Sequence, residues 1–421
     1  MQELTKMSKE RAIVVGIVHP DQQRDLANEY LDELELLADT AGAEVIERVV
    51  QERRRLDAGY MIGRGKAEEL AEMAKYMDAD LIIFDDDLSP AQVKNLESLC
   101  HCKILDRSGL ILDIFAKNAR TREARTQVEL AQLNYLLPRL TRQWTHLSRQ
   151  VGGIGVRGPG ETQLEVDRRL IRKRIRILEE ELDKISRQRQ NRRKSRKNVI
   201  KAALVGYTNV GKSTLLNAFT DANVPVEDRL FATLDSTIRA VELSDHRRLL
   251  FIDTVGFIRK LPHHLVASFK STLEEAAAAD ILLHVIDVTH PFYLEHMHTV
   301  ESVLQDLKID HKPTLKVFNK IDQLTDRSVL AEIKEVHQPC VCISASRGIF
   351  FDDLIDYLTI FIDSQEKPMT VSLPMQESKV ISQLHEMADI MKIDYQDSRA
   401  IIELKADAVN VQRIKRLVAP F

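Results

Sequence analysis

The amino-acid sequence predicts a multidomain α/β protein with a mainly parallel central sheet and one long helical insertion. Strand-like and helix-like patterns alternate in most of the chain, whereas residues 116–197 show helical patterns only. The length of 421 residues also exceeds the roughly 150 residues of a typical domain. We therefore predict four parts, which are an N-terminal α/β domain at 1–115, a basic helical hairpin at 116–197, a doubly wound domain at 198–365 and a small C-terminal α/β domain at 366–421.

The N-terminal part begins with apolar runs that are typical of buried strands. Such runs lie at residues 12–18 and 81–84, and a further strand is predicted around residues 45–50. The apolar spacing of residues 26–37 predicts a helix between the first two strands, and three aspartates at 85–87 predict a polar loop after the third. Ser89 and Pro90 then predict the start of another helix, with the serine as its N-cap.

The last 55 or so residues predict a small unit of strands and helices. The pattern indicates strands near 371–373 and 400–404, a helix near 380–390 and a final helix at the end of the chain.

Composition excludes several classes of protein. Hydrophobic residues make up 44% of the chain and charged residues 29%, with a net charge of -4, so the protein is not generically basic. No run approaches the ~20 apolar residues of a membrane span, and the charged N-terminus does not resemble a signal peptide. Four cysteines in two C-x-C pairs are too few for a secreted disulfide framework, and we expect them to be small buried side chains. The sequence predicts a soluble, cytoplasmic protein, and nothing in it demands more than a monomer.

The charges are distributed unevenly along the chain. Residues 117–197 contain 22 Lys and Arg against 9 Asp and Glu, whereas the remainder contains 38 against 55. Positive charge concentrated in one segment of an otherwise acidic chain predicts a polyanionic partner.

The basic segment also carries two apolar stripes at helical spacing. One has a seven-residue repeat, with members Leu164, Ile171, Leu178 and Ile185, joined by Ile175 and Leu182. The opposing stripe comprises Val128, Leu133, Leu136, Leu137 and Leu140, with a kink expected at Pro138. We predict a helical hairpin in which both stripes serve packing alone.

A phosphate-binding loop is predicted where an apolar strand at 202–205 meets a helical pattern. The segment fits G-x-x-x-x-G-K-[ST], and its residues are Gly206, Tyr207, Thr208, Asn209, Val210, Gly211, Lys212, Ser213 and the following Thr214. Glycines let backbone N–H groups turn inward around phosphates, at a helix N-terminus of positive potential. We expect Lys212 to reach the β- and γ-phosphates and the Ser213 hydroxyl to bind Mg²⁺.

Further elements in the required order predict GTP, with GDP as the product, rather than ATP. The strand at 249–252 ends in Asp253, Thr254, Val255 and Gly256. Here Asp253 would hold Mg²⁺ through water, and the Gly256 N–H would sense the γ-phosphate. After another strand come Asn319, Lys320 and Asp322, then Ser344 and Ala345. Asp322 can accept both guanine N1–H and the 2-amino group, Asn319 would brace the loop, and the 344–345 backbone would contact the guanine carbonyl.

This set resembles the translation-factor-related GTPases, and the resemblance implies a switch I threonine that binds Mg²⁺. Thr233, which follows Phe231 and Ala232, is the best match, and Thr237 is the alternative. Phe257 takes the switch II position where Ras-like enzymes use a water-orienting glutamine, so we expect slow intrinsic hydrolysis. Asn209 matches the asparagine of potassium-dependent members. The resulting hypothesis of K⁺-assisted hydrolysis fails if turnover is equal in sodium and potassium buffers.

The basic segment also contains a glycine-rich loop. Its residues are Gly152, Gly153, Gly155, Arg157, Gly158 and Gly160. Five glycines alone would indicate a flexible turn. Neighbouring arginines favour a loop that enters a narrow anionic space, such as RNA provides.

Residues 152–169 with the phosphate loop, Phe-Ala-Thr-Leu-Asp and Asp-Thr-Val-Gly-Phe closely resemble the HflX family of ribosome-associated GTPases. The resemblance covers essentially the whole chain, with Ser236 in place of an expected proline as a small departure. It implies a Ras-like GTPase domain that binds the large ribosomal subunit through rRNA, with the hairpin loop reaching the peptidyl transferase region. It also implies ribosome-stimulated hydrolysis and dissociation of stalled or idle ribosomes under stress.

The family resemblance also implies ATP binding by the N-terminal region. The candidate is a nest of Gly63, Arg64, Gly65 and Lys66 before a helix. A tight strand–helix turn explains these four residues equally well.

Two other functions fit parts of the sequence. One is a GTPase that assists RNA or subunit maturation, and the other is a non-enzymatic regulator whose helical arm binds a protein. Contacts to RNA phosphates would weaken by orders of magnitude between about 50 and 200 mM salt, whereas an apolar interface would respond far less.

Overall fold

The computed structural model describes residues 9–18, 24–140, 163–194, 199–220, 230–231, 237–243, 248–260, 275–365, 367–375, 377–396, 398–406 and 408–419. Within these ranges the chain forms three sheets and a helical hairpin. This confirms the predicted multidomain α/β class with a mainly parallel sheet.

The N-terminal unit is a four-stranded parallel sheet in the order β2-β1-β3-β4. Its strands are β1 (Glu10–Val18), β2 (Ala43–Glu52), β3 (Leu81–Phe84) and β4 (Lys103–Asp106). Its helices are α1 (Arg24–Ala41), α2 (Arg64–Tyr76), α3 (Pro90–Cys100) and α4 (Arg107–Asn118). The structure has strands at the predicted positions 12–18, 45–50 and 81–84. The central strands β1 and β3 are apolar because both faces of a parallel sheet are covered, whereas the apolar residues of the edge strand β2 alternate with exposed charged residues.

Helix α3 starts as the sequence predicts. Ser89 has extended backbone angles, its hydroxyl accepts from the N–H of Gln92, and the Gln92 side chain accepts from the N–H of Ser89. This capping box satisfies two N–H groups that have no partner inside the helix.

We expect Ser89→Ala to lower the free energy of unfolding by about 1 kcal/mol, because the cap bond is lost. Urea denaturation measures the change. Ser98→Ala is the matched control, since its exposed hydroxyl only donates to the Lys94 carbonyl within the same helix. Equal stability of the Ser89 variant and wild type would contradict this role.

The middle region is a hairpin of unequal arms, α5 (Arg122–Leu136) and α6 (Gln163–Lys194). Ile171 and Leu178 of the predicted repeat are buried, as is Val128 on the opposing stripe. The kink expected at Pro138 is wrong: α5 ends at Leu136, and a 3-10 turn covers Leu137–Arg139. The helix ends there because proline lacks the N–H that would continue the hydrogen-bond pattern. The predicted loop residues 152, 153, 155, 157, 158 and 160 lie outside the described residues.

The third unit is a six-stranded sheet in the order β10-β9-β8-β5-β7-β6, parallel except for β6. Its strands are β5 (Ile200–Gly206), β6 (Thr237–Glu242), β7 (Arg248–Asp253), β8 (Ile281–Asp287), β9 (Thr314–Asn319) and β10 (Cys340–Cys342). Helices described around it are α7 (Lys212–Phe219), α8 (Tyr293–Asp306), α9 (Val329–Val336) and α10 (Phe351–Gln365). The carboxyl ends of parallel strands β5, β7 and β9 bring the predicted motifs to one edge.

The C-terminal unit is a three-stranded antiparallel sheet, β11 (Lys367–Pro374), β13 (Arg399–Ala406) and β12 (Asp389–Gln396), with helices α11 (Ser378–Met387) and α12 (Ala408–Val418). The helix predicted to reach residue 390 ends at Met387, and the prediction missed β12. Residues 389–396 form a strand because β12 pairs with β13 along nearly all of its length, and this pairing outweighs the weak helical pattern of the sequence there.

All four cysteines are free thiols; Cys100 and Cys342 are buried, and Cys102 and Cys340 are half-buried. No helix within the described residues combines the length and apolarity needed to cross a lipid bilayer.

Candidate nucleotide site

The predicted phosphate loop, residues 206–214, joins β5 to α7. Gly211 has φ +94°, and a Cβ there would overlap the side-chain amide of Asn319. Glycine is therefore required both for the left-handed backbone and for the close approach of β9. The loop ends at the N-terminus of α7, where backbone N–H groups and positive potential favour an anion.

Lys212 lies inside this loop. Its ammonium donates to the carbonyl oxygens of Gly206 at 3.1 Å and Tyr207 at 2.6 Å, and the side chain is buried. Burial lowers the pKa of Lys212 to about 8, although the nearby Asp253 carboxylate opposes this shift. A buried cation held over the loop opening is suited to bind phosphate oxygens.

This lowered pKa predicts that nucleotide binding takes up protons at alkaline pH. Phosphate groups favour the charged form of Lys212, so binding above about pH 8 must protonate the neutral fraction, whereas at pH 7 the lysine is already charged. Calorimetric titrations with GDP at about pH 8.5, in two buffers of different ionisation enthalpy, measure the uptake. Identical heats in the two buffers would contradict it.

Two of the three predicted Mg²⁺ ligands lie together. The Ser213 hydroxyl donates to Asp253 Oδ2 at 2.7 Å. Asp253 Oδ1 is buried and has no hydrogen-bond partner in the described residues. Burial raises the pKa of Asp253, and the bonds from Ser213 and Thr254 and the charge of Lys212 oppose this. A buried carboxylate oxygen beside a serine hydroxyl fits an octahedral Mg²⁺ that retains waters.

The predicted switch I residues are only partly described. Ala232, Thr233 and Ser236 lie outside the described residues, so the assignment of Thr233 to Mg²⁺ stays a prediction. Phe231 is buried against Phe115 of α4, with ring centroids 4.7 Å apart, and its carbonyl accepts from the Asn118 side chain at 2.8 Å. Phe231, where the predicted switch I begins, therefore packs against the N-terminal unit.

The guanine-binding segments meet beside the phosphate loop. The Asn319 side chain donates to the Val210 carbonyl at 2.8 Å and accepts from the Ala345 N–H at 2.8 Å. Asn319 thus joins the phosphate loop to the 344–345 segment. The Ala345 N–H is occupied by this bond, and the contact of the 344–345 backbone with the guanine carbonyl stays a prediction.

Asp322 is oriented for a ligand. Its Oδ1 is buried without a hydrogen-bond partner among the described residues, while its Oδ2 lies 3.3 Å from Arg347 Nε. The neighbouring Lys320 pairs with Asp287 at 2.6 Å. Oδ1 is thus available for one ligand N–H, and accepting both guanine N1–H and N2–H would also use Oδ2, beside the exposed Arg347.

Switch II is attached directly to the phosphate loop. Phe257 is buried, its N–H donates to the Gly206 carbonyl at 3.0 Å, and its carbonyl accepts from the Thr208 N–H at 2.8 Å. Gly256 precedes it, and a Cβ at Gly256 would lie 2.9 Å from Thr208 Cα. The phenyl ring of Phe257 offers no group that could orient water.

Sequence reasoning missed a buried polar cluster between the N-terminal sheet and switch II. We call it the interdomain cluster; its members are Glu33, Asp85, Arg107, Tyr207, Arg259 and Lys260. Arg107 forms ion pairs with Glu33 and with Asp85, the latter at 2.9 Å. Asp85 also pairs with Arg259 at 2.7 Å and with Lys260 at 3.0 Å. Burial alone would raise the pKa of Asp85, but Arg259, Arg107 and Lys260 lower it to about 2. In the sequence, this cluster was indicated only by the aspartates that follow β3 and by the basic pair, Arg259 and Lys260, that lies shortly after Phe257.

A histidine pair lies beside the interdomain cluster. His290 Nε2 lies 3.0 Å from Glu29 of α1, and His290 Nδ1 accepts from the Phe292 N–H at 3.1 Å. Glu29, His290 and His296 each offer one possible ligand atom, and these atoms lie within 4.8 Å of one another. The ring of His296 stacks on Tyr207 at 3.8 Å.

The candidate ATP nest starts α2. Gly63 has φ +84°, and the Arg53 guanidinium covers it. Arg64 pairs with Glu68 and Lys66 with Glu69 along the same helix. These pairings favour the alternative of a tight strand–helix turn, and ATP binding there stays a prediction.

Three family models match successive parts of the chain: GTP-binding GTPase N-terminal at residues 28–116, GTP-binding GTPase Middle Region at 118–196 and 50S ribosome-binding GTPase at 201–320. A GTPase HflX of Caldanaerobacter subterraneus subsp. tengcongensis is 44% identical over 420 residues, which cover 99% of this chain and 96% of the relative. The GTPase HflX of Escherichia coli K12 is 46% identical, over 91% and 90% of the two chains. A crystal structure of a Sulfolobus solfataricus GTP-binding protein with GDP is 24% identical, covers 83% of this chain and 98% of that one, and has a TM-score of 0.44. The chain belongs to the HflX family of GTPases.

Proposed function

We propose that this protein is a cytoplasmic, monomeric GTPase that binds the large ribosomal subunit, is stimulated by it and dissociates stalled or idle ribosomes under stress. The observation that carries GTP chemistry is the pair of buried carboxylate oxygens, Asp253 Oδ1 and Asp322 Oδ1, without partners among the described residues. One faces the predicted Mg²⁺ position and the other the predicted guanine position. Buried carboxylate oxygens are costly unless a ligand satisfies them.

The residues of the nucleotide site have two kinds of role in phosphoryl transfer, which are binding and orientation. Lys212 and the α7 N-terminus would bind phosphate oxygens, and Ser213, Thr233 and, through water, Asp253 would hold Mg²⁺, which would supply positive charge to the phosphates. Phe257 cannot orient the attacking water, so intrinsic hydrolysis is slow. The exposed Asn209, with φ +60°, is placed at the loop surface where K⁺ would supply a further positive charge.

The charge of the hairpin supports RNA as the partner. Four exposed or half-buried basic residues follow one face of α6 at helical spacing, namely Arg169, Arg172, Lys173 and Arg176. The family model that matches residues 201–320 is described as a 50S ribosome-binding GTPase. Phosphate contacts of this kind give affinity that falls steeply with salt.

We expect a variant with Arg172, Lys173 and Arg176 all changed to alanine to bind large ribosomal subunits more weakly. The slope of log affinity against log salt should fall by about one per lost phosphate contact. Co-sedimentation with purified subunits across a salt series, with a non-hydrolysable GTP analogue, measures both quantities.

The matched control changes Lys75, Arg327 and Lys334, three exposed basic residues away from the hairpin, to alanine. If the two variants have equal affinity and equal salt slope, the basic face of α6 is not an RNA contact. Salt-insensitive binding by the wild-type protein would instead favour a protein partner.

A further inference from the structure

The second residue of the phosphate loop reaches beyond the loop. Tyr207 is buried, and its hydroxyl oxygen accepts from the backbone N–H of Arg259 at 3.0 Å. The same hydroxyl donates to the Glu33 carboxylate of α1. One phenol therefore joins the phosphate loop, switch II and the N-terminal sheet unit.

Tyr207 completes a set of three hydrogen bonds that attach switch II to the phosphate loop. The other two are the backbone bonds between Phe257 and the loop, at 3.0 Å to Gly206 and 2.8 Å from Thr208. None of the three has a side-chain atom of Lys212, Ser213 or Asp253 as its donor or acceptor, although Lys212 also donates to the Gly206 carbonyl at 3.1 Å. The Thr208 and Tyr207 bonds can therefore persist while those three groups bind ligand.

The direction of the Tyr207 hydroxyl is determined by its surroundings. Burial and the negative charge of Glu33 raise the pKa of Tyr207 well above its ordinary value, so the phenol keeps its proton. Arg107, itself fully buried, binds Glu33 and Asp85 and thereby fixes the acceptor. The proton points to Glu33, and the oxygen lone pair remains for the Arg259 N–H.

We propose that Tyr207 is a positioning residue for GTP hydrolysis, and that Glu33 of the N-terminal unit orients it. The inference rests on the proposed GTPase function. The Phe257 side chain cannot contact the γ-phosphate, and the predicted contact from this part of the chain is the N–H of Gly256, the residue next to the attached Phe257. Holding residues 257–259 against the phosphate loop fixes the Gly256 N–H relative to Lys212.

The test removes only the hydroxyl. We expect Tyr207→Phe to lower kcat for GTP about five- to tenfold, as loss of one buried hydrogen bond implies, while KM for GTP and the affinity for GDP stay unchanged. Tyr357→Phe, on α10 and outside the site, is the matched control and should keep wild-type kcat. An unchanged kcat in Tyr207→Phe, or a loss confined to nucleotide affinity, would overturn the proposal.

Amide hydrogen exchange gives a second readout that does not depend on catalysis. The Arg259 amide should exchange at least about tenfold faster in Tyr207→Phe than in wild type, because its acceptor is gone. Glu33→Gln should accelerate the same amide, and thermal melting checks that both variants are folded. Unchanged exchange in folded Tyr207→Phe would overturn the attachment itself. A wild-type protein that shows this protection but hydrolyses no GTP would instead refute the proposed function.

Discussion

Lys212→Ala is expected to lower kcat/KM for GTP by at least about a hundredfold, the loss found when a preorganised charge partner of a transition state is removed. The lysine is buried over the phosphate loop and bonded only to carbonyl oxygens of Gly206 and Tyr207 in the described structure. Its ammonium is therefore positioned to bind the charge that develops between the β- and γ-phosphates. Steady-state hydrolysis and binding of a fluorescent GTP analogue separate the effect on chemistry from that on affinity.

Lys201→Ala is the control for this variant, because Lys201 lies on β5, the same strand, but is only half-buried. We expect it to stay within about twofold of wild type, as surface substitutions usually do. If Lys212→Ala retained most of the activity, the phosphate loop would not be the catalytic site, and the assignment of residues 206–214 would have to be abandoned.

Arg107→Met is expected to lower the free energy of unfolding by about 3 kcal/mol, because Glu33 and Asp85 lose the fully buried cation between them and keep only the more exposed Arg259 and Lys260. Arg107 is 1% exposed and contacts both Glu33 and Asp85. Methionine preserves much of the apolar volume, so the change reports the lost charge more than a cavity. Chemical denaturation followed by circular dichroism measures it.

Arg48→Met provides the comparison, since Arg48 also pairs with two carboxylates, Asp32 and Glu35, but is 42% exposed. Solvent-exposed pairs contribute less than about 1 kcal/mol. If the two substitutions lowered the free energy of unfolding equally, burial would not be the reason that the interdomain cluster stabilises the fold.

Much of the fold follows from local sequence, and the exceptions have physical reasons. The central strands β1 and β3 are apolar runs because they are buried inside the sheet, and Ser89 with Gln92 marks the start of α3 by direct side-chain bonding. Strand β12 was missed because its pairing with β13, rather than its own pattern, determines its conformation. Helix α5 ends at Leu136 because Pro138 terminates the helix instead of bending it.

The nucleotide site was predictable because each of its motifs is a short stretch of sequence that follows a strand, and the strands bring those stretches to one edge of the sheet. The interdomain cluster was not, because its partners are distant in the chain: Tyr207 and Glu33 are 174 residues apart, as are Arg259 and Asp85. The pattern of a single sequence does not show which distant segments contact each other. Only the packing of the N-terminal sheet against switch II brings these charges together.

GTP hydrolysis by the purified protein in potassium buffer, with and without large ribosomal subunits, is the most direct test of the proposed function. We expect slow turnover by the protein alone, because Phe257 cannot orient water, and stimulation of about tenfold or more by the subunits, as a partner-supplied catalytic group would give. Competent GTP binding without any stimulation would contradict the proposed function. The partner would then be a protein, and the basic face of the hairpin would be a solvated surface.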